Sequence, residues 1–403
     1  MSKTVGIVGT LDTKGTEFQF LKEQIESGGL STLVINAGVL GKPVFEPDVP
    51  ASEVAKAGGA DLEDLIRVAD RGRNVAAMAK GVAVVAKRLY EEGKIHGIIS
   101  LGGSAGTTIG TSAMRALPVG VPKVMVSTIA SGDTRPYVDT KDITMMYSVV
   151  DIAGINSLSR QILSNAAGAI VGMIKTEAPA GEDKPLIGVT MFGVTTPCVT
   201  AARAILEAAG YEALVFHATG TGGRAMEDLV RGGFIIGVLD VTTTELADEL
   251  VGGVLSAGPN RLKAAGEMGI PQVIAPGALD MVNFGPPETV PDQFKSRKFY
   301  QHNPTVTLMR TTKEENAQLG RIMAEKLNNA KGPTTVLLPK QGVSAIDKEG
   351  QPFYDAEADA AFIENLKANL SENVTLIEMD NHINDDAFAR KLANVLLENL
   401  RNK

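Results

Sequence analysis

An apolar run, Ile98-Ile99-Ser100-Leu101, leads straight into Gly102-Gly103-Ser104-Ala105-Gly106-Thr107-Thr108 and from there into a helical pattern over 111–117. Strand, glycine-hydroxyl loop and helix in that order suit the binding of a phosphate. Glycines let main-chain N–H groups approach an anion with no Cβ in the way, hydroxyls add donors, and the helix N-terminus contributes partial positive charge. Gly102, Gly103, Ser104, Gly106, Thr107 and Thr108 are therefore candidate ligand contacts. The same residue types also serve turn geometry and helix capping alone, and the spacing matches neither the P-loop nor the dinucleotide fingerprint.

A second loop of this kind, Gly9-Thr10-Leu11-Asp12-Thr13-Lys14-Gly15, lies between an apolar run over 5–8 and a helical pattern over 17–27. Lys14 suits a phosphate, and Asp12 suits a magnesium-bound water or a ribose hydroxyl; a capped helix start with an exposed lysine fits equally. The run over 31–35 ends in Asn36, where a nicotinamide-binding domain usually presents Asp or Glu, and this counts against NAD. A third loop over 127–134, with Ser131, Gly132 and Asp133, follows the next strand pattern and can reach the same sheet edge.

The second half of the chain repeats such features. Thr219-Gly220-Thr221-Gly222-Gly223-Arg224 precedes a helical pattern and reads as a second anion site, with Arg224 toward the anion and Glu227 capping. Asp240 and Asp280 each follow apolar runs, and a segment over 286–304 with Lys295, Arg297, Lys298, Tyr300, His302 and Asn303 reads as an irregular, substrate-facing lid or a solvated basic loop. Asp240, Asp280, His302 and Arg310 are candidate catalytic groups for an enzyme acting on a small carboxylate or sugar acid in an interdomain cleft. His382 is either an acid-base group or a hydrogen-bonded structural residue.

Such loops need strands behind them. Short β-branched runs alternate with amphipathic helical patterns over the first 126 residues, and the rhythm restarts at Leu186, as crossover-connected parallel sheets require. The expected fold is α/β: two Rossmann-like parallel-sheet domains with flanking helices, weakly duplicated. An N-terminal domain over 1–180 and a C-terminal domain over 185–403 are joined by a polar Pro- and Gly-bearing linker near 175–185. Before it, 152–174 reads as a small-residue helix suited to burial or to a dimer contact.

Composition narrows the function classes. With 403 residues, 44% hydrophobic and 21% charged, the chain reads as globular and of more than one domain. A net charge of −8 with no basic patch argues against nucleic acid. No apolar run nears the roughly 20 residues that cross a bilayer. The lone Cys198 makes no internal disulfide, and with no signal pattern at the start the expected location is cytoplasmic. His96, His217, His302 and His382 form no ligand-spaced pair, so zinc is not expected.

Taken in order, Gly9 to Gly15, Leu101 to Thr107, Ser131-Gly132-Asp133-Thr134, His302-Asn303-Pro304 and Gln341-Gly342-Val343-Ser344-Ala345-Ile346-Asp347 resemble a known family over nearly the whole chain. This is the Tm-one-like ATP-binding family, found in bacteria and fungi and, in plants, as the N-terminal domain of the tomato mosaic virus resistance protein. The resemblance implies a two-domain α/β protein that binds ATP with magnesium and commonly forms a homodimer; on the residues themselves, Asp12 or Asp133 is the candidate to lie near the magnesium. It also implies a TIM-barrel partner protein, fused or separate. Catalysis is left open: ATP binding, the catabolic enzyme above, and a non-enzymatic, nucleotide-gated interaction module all remain.

Overall fold

The computed structural model describes residues 3–402 apart from Ala178, Ala180 and Glu182. The chain separates into two compact units, Met1–Gly181 and Glu182–Lys403. The linker expected near 175–185 includes Ala178, Ala180 and Glu182, which lie outside the described residues.

In the N-terminal unit β1 (Thr4–Gly9), β2 (Ser31–Asn36), β3 (Gly97–Gly102), β4 (Lys123–Ser127) and β5 (Thr144–Tyr147) form a parallel sheet in the order β2-β1-β3-β4-β5. Helices α1 (Gly15–Ser27), α2 (Ala51–Ala57), α3 (Leu62–Val68), α4 (Arg71–Glu91), α5 (Ser104–Arg115), α6 (Arg135–Val138) and α7 (Ser157–Lys175) make the connections. Both faces of the sheet are covered, so its strands read as continuous apolar runs instead of alternating ones. Ile7 packs with Phe18, Leu21 and Ile170 on one face, and its neighbour Val8 with Val54, Val82 and Val85 on the other.

The C-terminal unit repeats the plan. Strands β6 (Leu186–Met191), β7 (Glu212–His217), β8 (Ile235–Thr242) and β9 (Gln272–Gly277) are followed by β10 (Met281–Phe284), β11 (Phe299–Asn303) and β12 (Val306–Arg310), then β13 (Thr334–Pro339) and β14 (Val374–Met379). The parallel sheet runs β7-β6-β8-β9-β13-β14, the first unit's order by chain position with one strand added. The duplication expected from two similar turns is thus an equivalence of topology. Helices α8 (Thr196–Ala208), α9 (Thr221–Arg231), α10 (Glu245–Val251), α11 (Ala264–Met268), α12 (Lys313–Leu327), α13 (Ala356–Asn369) and α14 (Asp386–Arg401) flank it.

Three expectations are corrected. The segment over 286–304 is not an irregular lid: β11 pairs antiparallel with β12, which also pairs with β10, and Arg297 is anchored to Glu315 at 2.7 Å and lies over the Phe294 ring. Helix α5 starts at Ser104, not at 111, so the glycine-hydroxyl stretch is itself the first helical turns. Helix α7 starts at Ser157 behind an Asn156–Ser159 capping box, which leaves Gly154 outside it.

Several glycines are set by packing alone. A Cβ on Gly9 would lie 1.9 Å from the ring of the fully buried Phe18, and one on Gly102 would lie 2.7 Å from the Cα of Gly106. Gly9→Ala should therefore cost about 1–3 kcal/mol of overpacking, seen as a lower midpoint in urea unfolding; an unchanged midpoint would show that Phe18 gives way freely.

Candidate functional site

In a parallel sheet every helix that follows a strand delivers its unpaired first N–H groups to the sheet's C-terminal edge. Where the strand order reverses, two such connections diverge to opposite faces and leave a crevice. In the N-terminal unit the reversal falls between β1 and β3, and a cavity of about 430 Å³ lies there, within the usual size range of small-molecule sites. The β1–α1 turn supplies Thr10, Asp12, Thr13 and Lys14. The stretch after β2 supplies Ala37, Val39 and Leu40, and the start of α5 supplies Gly103, Ser104, Ala105 and Gly106. The last wall is Arg71, Asn74, Val75 and Met78, the i, i+3, i+4 and i+7 stripe of α4.

The electrostatics favour an anion at one end. No side chain caps α5, whose N-cap is Gly103; α1, α2, α6, α8, α9, α10, α11 and α14 also start without one, and what marks α5 is that its first residues lie in the cavity wall. An uncapped N-terminus carries partial positive charge and N–H donors toward whatever lies before it. Lys14 stands on the same rim, its Nζ donating to the Ile152 carbonyl, a neutral partner that an anion can outbid. Asp12 accepts from the Leu40 and Gly41 amides at 2.6 and 3.2 Å through Oδ2, clasping the segment after β2. Its Oδ1 is buried with no partner.

Among the expected contacts, Thr10, Asp12, Thr13, Lys14, Gly102, Gly103, Ser104 and Gly106 line this cavity. The others are engaged elsewhere. Gly9 packs on Phe18, and a Cβ on Gly15 would strike Val44. Thr107 is buried and bonded to Ser127 Oγ, while Thr108 donates to Ser104 O along its own helix. Both hydroxyls were assigned to a loop; once the helix begins at Ser104 they point along or behind it. Ser131, Gly132 and Asp133 are not in the lining, and the exposed Asp133 is paired with Arg135, which holds its carboxyl down at about 2. Sequence reasoning missed Arg71, Asn74, Met78 and Asp151, the last also in the lining. The signal available for the first three was the helical stripe that opens α4.

The corresponding place in the C-terminal unit, at the end of β8 between α9 and α10, is filled. Arg261, buried among acids, makes two bonds to Asp240, Nη1 to Oδ2 at 2.5 Å and Nη2 to Oδ1 at 2.7 Å, and Nε donates to Glu245 at 2.6 Å. Glu245 Oε1 in turn accepts from the Gly220 and Gly223 amides at 2.7 and 3.1 Å. The anion site expected at Gly220, Gly222, Gly223 and Arg224 is therefore met by the protein's own carboxylate, with Gly222 pressed against the His217 backbone and Arg224 exposed. Burial works against the Arg261 charge, yet Asp240 and Glu245 hold the guanidinium well above its ordinary range.

A second buried network surrounds Arg310, which reaches Asp359 at 2.8 Å and Asp347 at 3.4 Å. Asp280 accepts from Ser344 Oγ at 2.8 Å. Burial pushes Asp280 up to about 6 and Asp347 and Asp359 up to about 7, and one arginine cannot neutralise three carboxylates. Asp240, Asp280 and Arg310 thus sit inside salt-bridge networks, while His302 is exposed on β11. His382 is held through Nε2 by the Ser344 carbonyl at 2.8 Å.

A doubly wound α/β unit with an open crevice at its strand-order reversal, followed by a unit of the same order whose crevice is closed by salt bridges, defines a two-domain Rossmann-like protein. The chain belongs to the Uncharacterised protein family (UPF0261): residues 3–179 match its N-terminal domain and residues 184–400 its C-terminal domain. It is 61% identical over 399 residues to a UPF0261 protein of Clostridium tetani, covering 98% of this chain and 99% of that one. It is 44% identical over 420 residues to the ToMV resistance protein Tm-1(GCR237) of Solanum lycopersicum, covering 98% of this chain but 56% of the tomato protein. The kinship with the tomato resistance protein read from the ordered motifs is borne out. Among solved structures, a UDP-N-acetylglucosamine 2-epimerase from Rickettsia bellii is similar over 68% of this chain and 78% of its own, at 10% identity and a TM-score of 0.23, too slight a likeness to build on. No helix among the described residues is long and apolar enough to cross a membrane.

Two outcomes follow for the closed unit. Arg261→Met leaves Asp240 and Glu245 buried without a countercharge and should cost about 3–5 kcal/mol in chemical denaturation; a cost below 1 kcal/mol would mean that the network is dispensable. For the Arg310 cluster, carboxyls raised above their unfolded value of 3.8 make the folded state hold more protons, so stability falls as pH rises through about 6 to 7. His382, its pKa lowered by burial, acts in the opposite sense at the acid end. The urea midpoint should drop between pH 6 and 8.5, with a shallower drop in Asp359→Asn; a midpoint that rises over this range, or an unchanged slope in the variant, would contradict the assignment.

Proposed function

We propose that the N-terminal unit binds a phosphorylated ligand, ATP, with its phosphates against the start of α5. The observation that carries this reading is the uncapped α5 N-terminus opening on a ligand-sized cavity at the β1/β3 reversal. Gly103, Ser104 and Gly106 bring main-chain donors to the phosphates and Lys14 adds a cation. Kinship with the ATP-binding family recognised from the sequence motifs supports the nucleotide.

Magnesium fits this cavity in a limited way. Among the described residues no three acidic or imidazole groups gather as a metal cage. Magnesium bound with a nucleotide needs only one or two carboxylates besides phosphate and water. Asp12, in the cavity wall, is the nearer carboxylate, with its Oδ2 holding the Leu40 and Gly41 amides and its Oδ1 buried, and Asp133 is tied to Arg135. The cation would supply charge neutralisation for the phosphates. This is a reading of binding; hydrolysis does not follow from it.

The test is isothermal titration with ATP, with and without magnesium, beside Gly103→Asp. A Cβ on Gly103 meets only Thr128 Oγ1 at 3.7 Å, so the fold should tolerate the change. The new carboxylate sits where phosphate would. Repulsion of about 1–4 kcal/mol at 4 Å spacing should weaken ATP tenfold or more, with thermal stability near wild type. Tight ATP binding by the folded variant, or none by the wild type, would overturn the proposal.

A further inference from the structure

Four charged side chains line the cavity, and three of them are already engaged. Lys14 Nζ donates to the Ile152 carbonyl, Asp12 Oδ2 accepts from the Leu40 and Gly41 amides, and Asp151 Oδ1 accepts from the Ile152 amide at 2.8 Å. Arg71 is the fourth. It is exposed, and its guanidinium has no hydrogen-bond or ion-pair partner among the described residues, so an incoming anion meets it with no internal bond to displace. The backbone that presents it is fixed: Ala69, also in the lining, ends α3 in the left-handed region at φ +53°, uncommon for a residue with a Cβ, and Asp70 Oδ1 caps α4 by accepting from the Arg73 amide at 2.7 Å. Helix α4 leads into β3 and α5 leads out of it, so both start at the C-terminal edge of the sheet, and Met78 and Ile109 share one core cluster on the same face. At about 1.5 Å per residue, Arg71 stands about 10 Å along α4 from Met78. Buried Met78 and Ile109 close the inner end of the cavity, and Arg71 marks the outer one.

The geometry points to Arg71 as the residue that grips the outermost phosphate of the ligand and so selects a polyphosphate over a monophosphate. One phosphate is met by the main-chain donors at the start of α5, and each further phosphate brings charge that needs donors of its own. A guanidinium, with paired N–H groups in a planar fork, fits phosphate oxygens two at a time. Its exposed stem leaves it free to turn to an anion at the mouth. The inference rests on the nucleotide reading above and adds to it selection by the length of the phosphate chain.

ATP and AMP are titrated into the full-length protein with magnesium present, and then into Arg71→Ala and Arg73→Ala. The wild type should bind ATP about tenfold more tightly than AMP. Arg71→Ala should weaken ATP by about that factor and leave AMP unchanged, so that the preference disappears. Arg73, exposed on the same helix but outside the lining, controls for the loss of one positive charge, and Arg73→Ala should keep the wild-type preference. Equal wild-type affinities for ATP and AMP, an Arg71→Ala that keeps the preference, or an Arg73→Ala that loses it as fully would each overturn the role of Arg71 while leaving nucleotide binding in place. Binding of neither nucleotide by the wild type overturns both readings. With no partner lost, the thermal transition of Arg71→Ala should match the wild type; should it not fold, the wild-type comparison decides alone.

Discussion

The first N–H groups of a helix have no partner within it, and a parallel sheet collects several such helix starts at one edge. This chain meets that constraint differently in its two units. In the C-terminal unit Glu245 supplies the anion that the start of α9 needs, and Arg261 with Asp240 holds Glu245 there. In the N-terminal unit the start of α5 faces a cavity and no side chain closes it. The same strand order thus yields a closed edge and an open one.

Charge explains how the closed edge is held shut. A buried arginine needs carboxylates, and buried carboxylates need both an arginine and amide donors. Arg261, Asp240, Glu245 and the Gly220 and Gly223 amides satisfy one another in one ring of bonds. The open edge has an incomplete set: the first amides of α5, with no capping side chain, and Lys14 on the same rim. An anionic ligand completes it.

Much of this was legible in the sequence, because it rests on local pattern. Continuous apolar runs over 5–8 and 98–101 announce strands buried on both faces, and glycines next to them announce the turns at the sheet edge. What was not legible depends on distance in the fold. Arg261 lies in no motif, yet it decides that the glycines before α9 serve an internal carboxylate. Asn74 and Met78 look like any helical core stripe until the cavity beside them is seen. The start of α5 could not be fixed from Gly103 and Ser104 alone, so Thr107 and Thr108 were aimed at a ligand when their hydroxyls belong to Ser127 and to the helix backbone. The hairpin of β11 and β12 was read as a loop because its exposed face, with His302 and Asn303, lacks an apolar pattern.

The central claim is that one sheet edge is open to a nucleotide and its counterpart is closed by the protein itself. Amide hydrogen exchange, followed residue by residue with and without ATP and magnesium, tests it directly. Slowed exchange at 102–108, with no change at 219–223, is the expected result. Protection at 219–223 without protection at 102–108 would contradict it.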